Sequence, residues 1–321
     1  VVTVPVRRPA RGPAGAAVAL LAALALFPAV GPAFATYVLA LILVTGLLAL
    51  SLNLVLGYGG LYQFHHAVFY GVGAYTLAVA VTRGGWPAWL GFLAGPLAAA
   101  LAGLLIGWFC VRLTRLYFGM LQISLGSLLW TVVLRWYPVT GGDNGIHDIP
   151  LPGALQTLPG AYYLILAVVA ASTAVLYLIV RSPFGITLQA IRDNAQRCQT
   201  VGVNVRAHQV AAIVIAAFFA GVAGVLYVAL ERSVFPNLLF WVLSLEIFVM
   251  CLLGGWFTFA GPMLGAALMV ALRTVIGRYT DLWTMFVGII LILLIFFMPE
   301  GVAGFALARR RTRAAGAGGR G

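Results

Sequence analysis

Apolar residues run along this chain in blocks of about 20, the length a bilayer core of about 30 Å requires of a spanning helix. In order, the blocks are Ala14–Val30, Thr36–Leu56, Leu61–Val81, Ala88–Cys110, Leu116–Tyr137, Ala161–Val180, Gln209–Leu230, Phe240–Trp256, Phe259–Val275 and Leu282–Met298. Within lipid only helices and closed barrels satisfy their own backbone. The blocks are continuous rather than alternating, which predicts helices and not barrel strands. The expected fold is an all-α polytopic integral membrane protein of about ten spanning or re-entrant helices. Whether 61–81 crosses fully or re-enters stays open.

One polar interruption stands apart. Arg181–Arg206 reads RSPFGITLQAIRDNAQRCQTVGVNVR. Thr187–Val201 contains neither proline nor glycine, Gly185 precedes it and Gly202 ends it, which predicts a short helix outside the bilayer between two spans. A second polar stretch, Pro138–Gly160, holds TGGDNGIHDIP with Asp143, Asn144, His147 and Asp148. Oxygen ligands at short spacing admit a calcium loop, but the length and terminal Glu of an EF-hand are missing. A polar surface turn and a docking surface for an outer soluble partner are the other readings.

Composition excludes a soluble domain: 63% of residues are hydrophobic and 8% charged, against roughly 25% charged in soluble proteins. The net charge is +12 and every basic side chain is arginine. With both termini inside, the inner segments hold Arg7, Arg8, Arg11, Arg112, Arg115, Arg181, Arg192, Arg197, Arg206, Arg309, Arg310, Arg311, Arg313 and Arg320, fourteen in all. The outer segments hold Arg83, Arg135, Arg232, Arg273 and Arg278. The cytoplasmic-positive bias therefore favours a multi-pass plasma (inner) membrane protein with both termini and the Arg181–Arg206 segment in the cytoplasm. Basic residues at span ends with no aromatic stacking motif argue for lipid rather than nucleic acid as the partner. The start, VVTVPVRRPARGP before an Ala/Leu run, has the look of a secretory signal, with small residues at Ala33 and Ala35. A second apolar run follows at once, so we read a retained first span, kinked or ended by Pro28 and Pro32. The expected organisation is a basic tail over 1–15, a transmembrane domain over 16–305 containing a polar loop at 181–207, and a basic tail over 306–321.

No catalytic constellation is evident, so no catalytic residue is assigned and an enzyme is not expected. The chain lacks lysine, so a P-loop ending in GK[ST] is impossible and any ATP would be hydrolysed by another subunit. Cys110, Cys198 and Cys251 are too few and too scattered for a disulfide frame or a metal set. Polar residues inside apolar blocks are expensive and face a bundle interior or an aqueous path. Asn53, Gln63, His65, His66, Gln122 and Ser124 are the candidates for a translocation path; Glu246, Arg135 and Arg273 are also present. Adjacent helical residues point about 100° apart, so His65 and His66 make a poor joint metal site; hydrogen bonding, pore lining and proton transfer stay open. Glu246 is either a proton carrier or a polar contact. Gly57, Gly59, Gly60, Gly71, Gly73, Gly221 and Gly224 inside the blocks fit either close helix packing by small residues or a broken helix lining a path, for which LGYGGLYQ is the best candidate. LLGGWFTFAGPMLGA, with Gly254, Gly255, Gly261, Pro262 and Gly265, predicts a tight inner hairpin.

Four of these stretches together resemble one family. SLNLVLGYGG with HAVFYGVGAY, TGGDNGI, SPFGITLQAIRDN leading into VGVNV, and LLGGWFTFAGPMLGA occur in order. The chain resembles the LivM-type branched-chain amino acid permease subunits of ABC importers over about Leu47–Phe305. It departs at Gln63, Phe64, His65 and His66, where the family has a Ser-Leu-Gly-His run, and at Ala195–Thr200, where an acidic, Ala-rich stretch is usual. The resemblance implies ATP-driven alternating access for a hydrophobic amino acid. The implied partners are a second homologous permease, two ABC ATPase subunits binding ATP and Mg, and an outer substrate-binding protein. It also implies that Ser182, Phe184, Gly185, Ala190, Arg192, Asp193, Asn194 and Gly202 belong to an ATPase-coupling helix. Related permeases for urea or short amides, and a proton-coupled secondary transporter using Glu246 and the histidines, are the alternatives.

Overall fold

The computed structural model describes residues 13–113 and 115–279, with 285, 286, 288, 289 and 301 beyond. The helices are α1 Pro13–Val30, α2 Ala33–Asn53, α3 His66–Thr82, α4 Ala88–Cys110, α5 Arg115–Arg135, the single turn α6 Tyr137–Thr140, α7 Leu158–Arg181, α8 Pro183–Thr200, α9 Val205–Glu231, α10 Trp241–Gly254 and α11 Gly261–Ile276. A π-helical turn, Leu54–Tyr58, extends α2. Among the described residues β structure is limited to one antiparallel bridge, Ile146 with Val234.

The all-helical, polytopic expectation fits. Five helices are long and apolar enough to cross a membrane: α2 with its π turn, α4, α5, α7 and α9. α3, α10 and α11 are apolar but have 17, 14 and 16 residues. The described residues thus do not establish about ten spans. The block Leu282–Met298 lies largely outside them, as do residues 1–12 and 306–321.

α2 and α9 form the centre. α9 packs closely on α3 and α4 because small residues let the backbones approach. A Cβ on Gly224 would strike the Tyr70 carbonyl of α3, and one on Gly73 would lie 2.6 Å from the Gly221 Cα. α1 docks on the outside of α7, where the Tyr162 hydroxyl donates to the Leu24 carbonyl (2.7 Å) and Tyr163 to that of Ala25 (3.2 Å). Pro28 lies inside α1, and Pro32 precedes α2 as its N-cap.

Helix direction gives the bundle two ends. α9 starts beyond α8 at Val205 and runs 27 residues to Glu231, about 40 Å away at 1.5 Å per residue. α2 approaches α8 with its C-terminal π turn, so Tyr37 and Glu231 share the opposite end. The stretch 138–160 closes that far end. Ile146 and Val234 exchange two backbone hydrogen bonds of 2.9 Å, and the Ile149 N–H donates to the Arg232 carbonyl at 3.1 Å. Ile146, Ile149 and Leu151 are buried beside Val234 and Leu239. Asp143, His147 and Asp148 are exposed, and no group of three or more metal donors occurs among the described residues.

Candidate functional site: a tethered polar helix, a broken span and a far-end cavity

α8 begins earlier than glycine punctuation predicts. Ser182 caps it, its hydroxyl accepting from the Gly185 N–H (3.4 Å), and Pro183 takes the first turn, where its missing N–H costs nothing. Gly185 lies within that turn, and a Cβ there would collide with the Val180 carbonyl. The apolar face is Leu188, Ile191 and Cys198 with Gly185. Ile191 and Cys198 pack with Val205 into a small core of their own. Phe184 stacks on His208, centroids 5.7 Å apart.

The helix is not continuous. Asn194 has extended backbone (φ −158°, ψ 94°), and its side chain accepts from the Arg197 N–H at 2.9 Å. Asn194 thus ends one segment and caps the next. Gly202 closes α8 at φ +89° with open space around it, a conformation that favours glycine. Ala190, Asp193, Asn194, Arg197 and Gly202 face outward.

Arg192 differs from its exposed neighbours. Its guanidinium turns into the chain and donates to the Gly57 carbonyl at 2.7 Å. It also pairs with Asp193 at 2.9 Å; the two side chains are 26% and 69% exposed. The reason is local: a π turn leaves carbonyls without their usual i+4 partner, and α8 packs against that turn. Gly60 adopts φ +67° beneath Arg192, and a Cβ there would lie 2.6 Å from the Arg192 Cγ.

Residues 60–65 are non-helical, and α3 starts at His66. The predicted path residues separate into groups here. Gln63, His65, His66 and Gln122 are fully or almost fully buried. The Phe64 N–H donates to Gln122 Oε1 (3.2 Å), and His66 Nε2 lies 2.8 Å from Ser51 Oγ. Ser244 of α10 accepts from the Ala67 N–H at 3.0 Å, at the first turn of α3. Both amide atoms of Gln63 lack a protein hydrogen-bond partner, while the His65 ring interacts with Gln122. Asn53 lies to one side, donating to the Thr258 carbonyl (3.4 Å) in the α10–α11 turn. Ser124 stays apart: it is exposed on α5 and bonded to Met120 of its own helix. The α10–α11 turn is tight as its glycines predict. A Cβ on Gly254 would meet the Gly261 carbonyl, Gly255 has φ +101°, and Pro262 stands in the first turn of α11.

A cavity of about 940 Å³ occupies the far end of the bundle. α2, α9, α10 and α11 wall it, and Tyr70 of α3 reaches it one turn from His66. Glu246 and Arg273, both noted in the sequence, line it with Tyr37, Glu231 and Arg278. The Tyr37 hydroxyl donates to the Glu231 carboxylate. Sequence reasoning passed over Glu231, although it is one of only seven acids and ends an apolar block.

These features define an all-helical membrane protein with a polar helix tied to a break in its central span. The family model described as "Branched-chain amino acid transport system / permease component" matches residues 34–296. The chain belongs to that ABC transporter permease family. It is 28% identical over 283 residues to the high-affinity branched-chain amino acid transport system permease protein LivM of Escherichia coli K12, covering 80% of this chain and 67% of that one. Identity to the LivM protein of Salmonella typhimurium is 27% with the same coverage. The autoinducer 2 import system permease protein LsrC of Photorhabdus laumondii is 24% identical over 68% of this chain and 61% of its own. No solved structure matches. These homologues are transport permeases rather than enzymes, consistent with a multi-pass inner membrane protein.

Proposed function

We propose that this chain is a permease subunit that imports branched-chain or other hydrophobic amino acids by ATP-driven alternating access. It works with a second permease, two ATPase subunits and an outer substrate-binding protein. ATP and Mg are bound by the ATPases, and both termini of this chain face the cytoplasm. α8 is the coupling helix, offering Ala190, Asp193, Asn194 and Gly202 to an ATPase, with Ser182, Phe184 and Gly185 fixing its attachment.

The observation that carries this reading is the hydrogen bond from Arg192 to the Gly57 carbonyl. It joins a polar helix at the end of the bundle to the place where the central span breaks. Displacement of α8 is thereby transmitted to Gly59, Gly60 and the buried group Gln63, His65, His66 and Gln122. Partnerless polar groups cost free energy in a dry interior, so this group borders the route that water or substrate enters. The Gly254, Gly255, Gly261 and Pro262 turn flanks the same break and acts as a rigid neighbour to it.

The test is reconstitution with the partner subunits in proteoliposomes. Uptake of labelled leucine should require ATP and persist with a protonophore. Uptake that collapses with the protonophore while ATP remains, or that proceeds without the ATPases, rejects the proposal.

A further inference from the structure

The cavity at the far end carries two carboxylates and two guanidiniums near its mouth, Glu231, Glu246, Arg273 and Arg278. Arg273 interacts electrostatically with Glu246 and with Tyr37. Deeper in, the wall becomes apolar through Leu48, Ile247, Met250 and Met269. The volume, about 940 Å³, lies in the roughly 300–1,000 Å³ range of cavities that enclose small molecules. Charge is balanced at the rim and absent at the floor, which is unsuited to a simple cation or anion. Glu231 and Glu246 are half-buried and Arg273 and Arg278 exposed, so an ion of either sign meets a like-charged pair beside its opposite pair.

We infer that this cavity is an entry subsite for a zwitterion with an apolar side chain, the ammonium held by Glu246 and Glu231 and the carboxylate by Arg273 and Arg278. The inference rests on the import function proposed above and adds the place and the chemistry of recognition. A zwitterion can exchange into the existing rim interactions without changing the net charge of the site. Its side chain then replaces water over Leu48, Ile247 and Met250. Position favours entry, because the cavity lies at the end of the bundle opposite α8. Tyr70 joins it to the buried polar group, being one turn along α3 from His66.

Three measurements in the assembled importer decide the matter. Glu246→Gln should raise the KM for leucine at least tenfold, more than it lowers maximal uptake. Thr45→Phe, which narrows the cavity from α2, should shift preference from leucine toward alanine. Isoamylamine and 4-methylvalerate, which each lack one charge of leucine, should compete at least tenfold more weakly than leucine. Should either variant fail to assemble, Asn237→Cys at the exposed mouth supplies a separate readout. The three native cysteines are buried, and leucine should slow labelling of the new thiol by a membrane-impermeant maleimide severalfold. Unchanged KM and substrate ranking in both variants, or labelling indifferent to leucine, overturns the subsite while leaving the import function standing. Absence of leucine uptake by the wild-type assembly overturns both.

Discussion

α7 and α9 are matched in length and mean hydropathy, 24 residues against 27, yet 28% of the apolar stretch of α7 is buried within the protein and 72% of that of α9. The match reflects a common solvent requirement: either helix crosses hydrocarbon unaided. The difference reflects neighbours. α9 carries Gly221 and Gly224 at mid-length, where α3 and α4 approach to backbone contact. α7 has glycine only at Gly160, in its first turn, and turns Val175 and Leu178 outward. Hydropathy thus identifies a span, while small residues at mid-length identify which span is central.

The comparison is broken most severely at Gly224. Gly224→Leu should drive a side chain into the Tyr70 carbonyl, costing at least about 3 kcal/mol, the upper part of the overpacking range. Loss of the folded monomer on size exclusion in detergent is the expected result, and a normal melt contradicts the packing. Next comes the junction of the central span with α8. Arg192→Met keeps the stem and removes the hydrogen bond to Gly57. Hydrogen bonds to charged groups contribute about 1.5–3 kcal/mol. Substrate-stimulated ATP hydrolysis should therefore fall by roughly tenfold, with the melt lowered by only a few degrees. Full stimulation would show that α8 communicates by another contact.

A smaller effect is expected at Gly202. Gly202→Trp places a bulky group in open space, so the local cost is the left-handed backbone, about 1–2 kcal/mol. Membrane insertion should persist while stimulated ATP hydrolysis drops severalfold through obstructed docking. The smallest effect belongs to the rim. Leu178→Ala, at a side chain 67% exposed, should move stability by no more than about 0.5 kcal/mol. A loss approaching that of Gly224→Leu would make the α7 face a subunit contact and erase the contrast between rim and centre.

Much of the architecture was legible because lipid imposes length and continuity on each span. The α8 helix and the breaks at Gly57–Gly60 and Gly254–Gly261 followed from polarity and glycine spacing. The start of α8 did not, because Ser182 and Pro183 form a cap four to five residues before Thr187, where the stretch that marks the helix begins. The inward turn of Arg192 was also hidden, since its partner is a backbone carbonyl far away in sequence. Ser124 shows that a polar residue within a span can satisfy itself on its own helix and face outward. The far-end cavity draws its charges from α9, α10 and the end of α11, which only the tertiary fold brings together. Most of the last apolar block falls outside the described residues.

The π turn at Leu54–Tyr58 stores one surplus residue of winding in the central span. Each residue of an α-helix advances about 1.5 Å and rotates about 100°. Redistributing that surplus would swing the chain beyond Gly59 like a key turned in its lock, by a fixed angular step rather than a graded slide. Arg192 grips the carbonyl at this point, so its hold sets whether the extra winding stays where it is.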